Sequence, residues 1–132
     1  MTVAGIYETV LYTDDLPALA RFYERVLGLR VVDGPDQTLA ALRLPDRGML
    51  LLFDRDQAAR PGRRVPSHGT TGPGHVAFRA EPGSVDAWRT WLDRCGVAIE
   101  CDNPFPDDGF TLYFRDPAGN SVELVDGDLW SP

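Results

Sequence analysis

The stretch Phe110-Thr111-Leu112-Tyr113-Phe114-Arg115-Asp116-Pro117-Ala118-Gly119-Asn120-Ser121-Val122-Glu123-Leu124-Val125 decides the reading of the fold. Two runs of alternating apolar and polar residues flank a cluster of turn formers, Asp116 to Asn120, which predicts a β-hairpin. With a regular loop, Arg115 faces Ser121, Phe114 faces Val122 and Tyr113 faces Glu123. Because successive strand side chains point to opposite faces, Phe110, Leu112, Phe114, Val122 and Leu124 form a core face. Thr111, Tyr113, Arg115, Ser121 and Glu123 form the other. A carboxylate between Val122 and Leu124 is either solvated on an open sheet or held there for chemistry.

Working back from the hairpin, the same order of elements occurs twice. Ile6 to Thr13 reads as a strand, and Asp14-Asp15-Leu16-Pro17 supplies an Asp cap and a first-turn Pro for a helix. Leu16, Leu19, Phe22, Tyr23, Val26 and Leu27 fall at helical spacing, and Gly28 ends the run. Strands are predicted at about 29–33, 37–44 and 48–54. A second strand, Gly74 to Ala80, leads to a helix capped by Ser84, with Val85, Trp88, Trp91, Leu92 and Cys95 on one face and Gly96 at its end. Strands at about 97–101, 110–115 and 119–126 complete a second βαβββ unit.

The fold class is therefore α+β, one domain over residues 1–132: module one at about 4–56, a linker at 57–73 and module two at about 74–128. The linker is rich in Pro and Gly, holds no acidic residue and carries Arg60, Arg63 and Arg64. Its length permits either a connection or a functional flap, and a connection is the expectation here. His68 within it is expected to be solvated. Superposing the modules by element sets Glu8 against His75, and Leu51 against Glu123. In a pair of curved sheets these positions converge on the inner face, and three of the four are potential metal ligands.

Composition removes several function classes. At 132 residues with 43% hydrophobic content, the chain can bury roughly two-thirds of its unfolded surface in one core. A net charge of −7 argues against nucleic acid or an anionic membrane as partner. All 13 basic residues are Arg, so no Lys is present for Schiff-base chemistry or a phosphate-binding loop. No apolar run approaches the roughly 20 residues of a bilayer span, and the N-terminus lacks the pattern of a signal peptide, so a cytoplasmic location is expected. Cys95 and Cys101 match neither a redox pair nor a zinc knuckle and read as unpaired core residues.

The chain resembles the vicinal oxygen chelate superfamily, which includes glyoxalase I, bleomycin resistance proteins, extradiol dioxygenases and fosfomycin thiol transferases. The resemblance is carried by Glu8 to Leu16 running into Arg21 to Gly28, by Gly74-His75-Val76-Ala77-Phe78, and by Asp116 to Glu123, and it covers residues 4 to 128. It implies two βαβββ modules forming a curved mixed-sheet cup. It also implies metal ligands at Glu8, His75 and Glu123, with one divalent ion (Mn, Fe, Ni, Zn or Mg) and a small substrate that chelates it through adjacent oxygens.

Two departures from the family pattern bear on the reaction. Glu8 stands where His or Gln is more usual, and Leu51 occupies a fourth ligand place without a donor. The vacancy weighs against a glyoxalase I activity and leaves a dioxygenase or a lyase/isomerase. Transfer to fosfomycin is disfavoured by the absence of Lys and of a loop beyond Glu123. The alternative is a metal-free protein that sequesters a small molecule or drug, as bleomycin resistance proteins do. On either reading a homodimer is expected.

Around the implied ion, Tyr113 is placed to hydrogen-bond Glu123 or to offer a proton, or to sit as an amphipathic aromatic at a rim. Arg115 and Arg79 share faces with Glu123 and His75, and either binds an anionic substrate group or pairs with surface acids. Glu8 has Ile6, Val10 and Tyr12 on its face, so an unpaired carboxylate there is expected to be costly.

Overall fold

The computed structural model describes residues 1–105 and 109–130. The chain divides into two compact units, Met1–Gly72 and Pro73–Pro132. Unit one contains β1 (Glu8–Thr13), α1 (Leu16–Leu27), β2 (Arg30–Asp33), β3 (Leu39–Arg43), β4 (Met49–Asp54) and a short helix α2 (Arg55–Ala59). Unit two contains β5 (His75–Arg79), α3 (Val85–Arg94), β6 (Ile99–Phe105), β7 (Gly109–Arg115) and β8 (Ser121–Asp126). No helix among the described residues is long and apolar enough to cross a membrane.

Each unit folds its βαβββ run into a four-stranded mixed sheet of the same topology. The orders are β1-β4-β3-β2 and β5-β8-β7-β6, so the first strand pairs in parallel with the last and the other pairs are antiparallel. The two parallel pairs also share a register. Glu8 pairs with Met49 and Val10 with Leu51, while His75 pairs with Ser121 and Ala77 with Glu123. Glu8 and His75 are thus equivalent within their sheets, as are Leu51 and Glu123, which agrees with the superposition made from sequence.

Helix α1 follows its sequence signals closely. Asp15 Oδ1 accepts from the Ala18 N–H at 3.1 Å, and Gly28, at φ 66°, donates to the Glu24 carbonyl as a left-handed cap. Leu16, Leu19, Ala20, Phe22, Tyr23 and Val26 are buried. Helix α3 does not cover its sheet in the same way, since only Leu92 is fully buried and Trp91 is 41% exposed. Ser84 precedes it, yet its hydroxyl donates to the Glu81 carbonyl at 2.5 Å and makes no cap bond to the helix.

The hairpin from β7 to β8 has the predicted register, with Arg115 opposite Ser121, Phe114 opposite Val122 and Tyr113 opposite Glu123. Asp116 holds its turn: Oδ1 accepts the N–H groups of Ala118 and Asn120 at 2.9 and 3.0 Å, and Oδ2 accepts the Asn120 amide at 2.9 Å. Asn120 Oδ1 in turn accepts the Gly74 N–H at 2.8 Å, tying the turn to the start of β5. Leu112, Phe114, Val122 and Leu124 are buried as one face. Phe110 is half-buried, with the Arg89 guanidinium 5.0 Å above its ring.

Four expectations are corrected. The strand predicted at 97–101 is observed as Ile99–Phe105, because β6 is a sheet edge where Pro104 can sit without depriving a neighbour of an N–H bond. Cys101 lies exposed on that edge rather than in a core, and neither cysteine forms a disulfide. Of the stretch expected to link the modules, residues 57–72 fall with unit one and begin inside α2. His68 is not solvated: its ring stands edge-on to Phe53 at 4.7 Å, and its Nδ1 shares a 2.5 Å hydrogen bond with the Tyr12 hydroxyl. Backbone ties hold this segment down, from His68 N–H to the Ala58 carbonyl at 3.1 Å and from Arg55 to the Thr70 carbonyl at 2.6 Å.

A candidate metal-binding cleft in unit two

Sheet pairing in unit two sets Tyr113, Glu123 and Ala77 in one row across β7, β8 and β5, with His75 one step along the same face of β5. Side chains two apart on a strand share a face, so the chemistry-bearing groups converge without any loop having to place them. Glu123 is buried, with 6% of its surface exposed. A carboxylate in that position needs partners for both oxygens. Oε1 accepts from the Tyr113 hydroxyl at 2.8 Å, and Oε2 lies 3.2 Å from His75 Nε2.

The far side of the imidazole fixes what Nε2 can do. His75 Nδ1 lies 3.1 Å from the Ser121 carbonyl oxygen, which only accepts, so Nδ1 carries the hydrogen. Nε2 is left facing the Glu123 carboxylate with the atom that normally binds a metal. A proton held between Nε2 and Oε2, or a cation bound by both, removes the opposition of their lone pairs. A backbone carbonyl behind the imidazole and a phenol behind the carboxylate are the outer partners that orient metal ligands. The pair therefore fits a divalent ion, with one imidazole and one carboxylate suiting Mn, Fe, Ni, Zn or Mg.

Tyr113 completes this group. Its ring lies stacked on that of His75 at 6.4 Å, and burial, followed by the hydrogen bond to Glu123, raises its phenol above the ordinary tyrosine range. The hydroxyl therefore keeps its proton at neutral pH. His75, Tyr113 and Glu123 open into a cleft of about 620 Å³, lined also by Ala77, Phe78, Arg79, Val125 and the segment Gly127 to Trp130. Trp130 is 90% exposed on its wall.

The two arginines named from sequence part company. Arg115 is taken up by Glu100, with Nε to Oε2 at 2.6 Å and Nη2 to Oε1 at 3.1 Å, and it donates once more to the Gly119 carbonyl. Of the two roles expected for it, pairing with a surface acid is the one observed, and it ties β7 to β6. Glu100 reaches it from the bulge between Ile99 and Cys101, which the sequence pattern did not signal. Arg79 lines the cleft.

Glu8 lies in unit one, at the first residue of edge strand β1, and is exposed. The desolvation expected from its apolar flanks does not arise, since Ile6 is itself 84% exposed. Within either unit, the described residues gather no three His, Cys, Asp or Glu side chains in an arrangement that would hold an ion alone. Unit two supplies a pair. Trp130, an aromatic that the sequence associates with the drug-sequestering alternative, lies on the cleft wall, and Leu129 beside it carried no sequence signal.

The fold and the site define a family, and comparison with known proteins agrees: the chain belongs to the Glyoxalase/Bleomycin resistance protein/Dioxygenase superfamily, whose profile matches residues 5–124. Among solved structures it is similar to a lactoylglutathione lyase from Agrobacterium tumefaciens, with 38% identity, full coverage of both chains and a TM-score of 0.91. It is 32% identical over 124 residues to biphenyl-2,3-diol 1,2-dioxygenase 3 of Rhodococcus globerulus, spanning 93% of this chain and 63% of that one. It is 28% identical over 131 residues to the metallothiol transferase FosB of Staphylococcus epidermidis, spanning 98% of this chain and 86% of that one. The chain spans only 39% of the length of a further curated relative, from Bacillus subtilis. The relatives carry three different chemistries on one scaffold, so the reaction has to be argued from the site.

Proposed function

We propose that the protein is a divalent-metal-dependent enzyme acting on a small molecule that presents two adjacent oxygens, of dioxygenase or lyase/isomerase type. The observation that carries this reading is the His75 Nε2 to Glu123 Oε2 approach of 3.2 Å, with the imidazole anchored by the Ser121 carbonyl and the carboxylate by Tyr113. Glu8 is the third ligand on this proposal, from its register equivalence to His75 and from the family resemblance, supplied by the same chain or by a second copy in a homodimer. When bound, the ion supplies Lewis acidity to adjacent substrate oxygens and, if it is iron, the capacity to activate O₂.

The chain's own groups do the rest. Tyr113 occupies one carboxylate oxygen, so Glu123 presents the other toward the metal. The phenol keeps its proton and donates it in the hydrogen bond to Glu123, so toward a substrate hydroxyl beside the cleft its oxygen can accept, and it can offer the proton to substrate only by turning away from the carboxylate. Leu51, equivalent to Glu123 in unit one, offers no donor, which leaves three ligands and open positions for a chelating substrate. A cytoplasmic homodimer with no nucleic acid partner is part of the same proposal.

Sequestration by a metal-free binder is the second reading, and the exposed Trp130 and Leu129 on the cleft wall favour it. Metal analysis separates the two. Protein purified and then equilibrated with Mn²⁺ should hold about one ion per chain. His75→Ala should lose it, with an unchanged far-UV spectrum because His75 is half exposed. Unchanged metal content in a folded His75→Ala variant would overturn the ligand assignment.

A further inference from the structure

The cleft of unit two changes character along its length. At one end stand His75, Glu123 and Tyr113. Next come Ala77 and Val125, which are apolar, and then Arg79, directly across from Val125 in the β5–β8 register. Arg79 therefore lies two residues beyond the row of Ala77 and Glu123 on the same face, about 7 Å along the strand. Its guanidinium donates to the Gly127 carbonyl at 3.3 Å and forms no ion pair among the described residues. The other acidic group lining the cleft, Asp128, uses Oδ1 to accept the Trp130 N–H at 3.0 Å.

This contrasts with every other arginine held in a charged pair nearby. Arg89 is shared between Asp102 and Asp86, and Arg115 is held by Glu100. Arg79 keeps most of its planar fork open to the cleft, beside an exposed indole. An unpaired guanidinium at the end of an apolar floor is suited to a carboxylate, which it can meet with two parallel hydrogen bonds.

The geometry points to a substrate class, resting on the metal reading above: a flat, apolar molecule with two adjacent oxygens at one end and a carboxylate at the other, selected by Arg79. Two positions along a strand advance about 7 Å, so Arg79 leaves β5 roughly one small-molecule length beyond the row of Ala77 and Glu123. Trp130, Ala77 and Val125 line the cleft along that body. Arg79 touches only the carboxylate, so it sets affinity and specificity and takes no part in the chemical step.

The test compares catechol with protocatechuate, its ring-carboxylated form, by calorimetric titration of Mn²⁺-loaded protein and of the Arg79→Met variant. Methionine keeps much of the aliphatic stem and removes the charge. Wild type should bind protocatechuate about tenfold more tightly than catechol, equivalent to roughly 1.4 kcal/mol. In Arg79→Met the ratio should fall to about one, with metal content and catechol affinity unchanged. Metal uptake without that preference, or a preference that survives Arg79→Met, overturns the assignment of Arg79. Repeating the titrations in chelator separates the two readings. A carboxylate preference that depends on Arg79 in a protein taking up no metal would sink the metal site and leave the Arg79 assignment standing.

Discussion

Val10 and Leu51 are neighbours across β1 and β4, and Ala41 on β3 faces Leu51; Ala77 and Glu123 are neighbours across β5 and β8, and Tyr113 on β7 faces Glu123. The two units thus repeat one frame and mount different groups at matching places. Where unit two holds His75, Glu123 and Tyr113, unit one holds Glu8, Leu51 and Ala41. Where unit two has Arg79 across from Val125, unit one has Tyr12 across from Phe53, capped by His68. The sheet tolerates either set, because strand pairing is made by backbone groups while the exposed face is left to side chains. A polar constellation can therefore be added or lost at these positions without changing the fold.

The helices differ in the opposite sense. Helix α1 buries six side chains against unit one, whereas α3 fully buries only Leu92 and leaves Trp91 41% exposed. Unit one is invested in its core and unit two in its cleft.

The largest expected effect comes from giving unit two the residue of unit one. Glu123→Leu should abolish metal uptake, read as metal per chain after equilibration with Mn²⁺. Its melting temperature should not fall by more than a few degrees, because an apolar side chain of similar volume replaces a buried carboxylate and the partly exposed Tyr113 and His75 can turn to water. Full retention of metal would break the comparison.

Next in size is the contrast between the helices. Leu19 is completely buried, and Leu19→Ala should cost about 2–5 kcal/mol by chemical denaturation. Trp91→Ala, at a partly exposed position of α3, should cost clearly less. Equal costs would show that the face of α3 is covered in solution.

The smallest effect concerns Tyr12. Burial, set against the lowering influence of Arg63, raises its phenol above the ordinary value. In a spectrophotometric titration Tyr12→Phe should remove a component that ionises above the ordinary tyrosine range. A raised folded value favours the protonated native state, so this contribution to stability is complete below a pH of about 10 and is lost as pH rises through the folded value. A titration in which Tyr12→Phe removes an early component would contradict the packing of His68 onto this face.

Much of this was legible in the chain. The alternation on both sides of Asp116 to Asn120 set the hairpin register, since a slip of one residue would turn Leu112, Phe114, Val122 and Leu124 to the wrong face. The capping residues around α1 fixed its ends. The repeat of elements located the equivalence of Glu8 with His75 and of Leu51 with Glu123. What local pattern could not give was the partner of each polar group. Arg115 and Arg79 look alike in sequence, yet a bulge at Glu100 claims one and leaves the other open.

The sequence by itself therefore determined the two βαβββ runs, the register of the β7–β8 hairpin and the face on which Tyr113 and Glu123 lie, because these follow from periodicities of a few residues. Only the tertiary structure decided that His75 Nε2 meets Glu123, that His68 docks on Tyr12 and that Arg79 is free to face the cleft. The first two join residues 48 and 56 positions apart. They depend on how turns, bulges and edges bring distant strands together, and those choices are made by packing of the whole unit, which no short window of the chain contains.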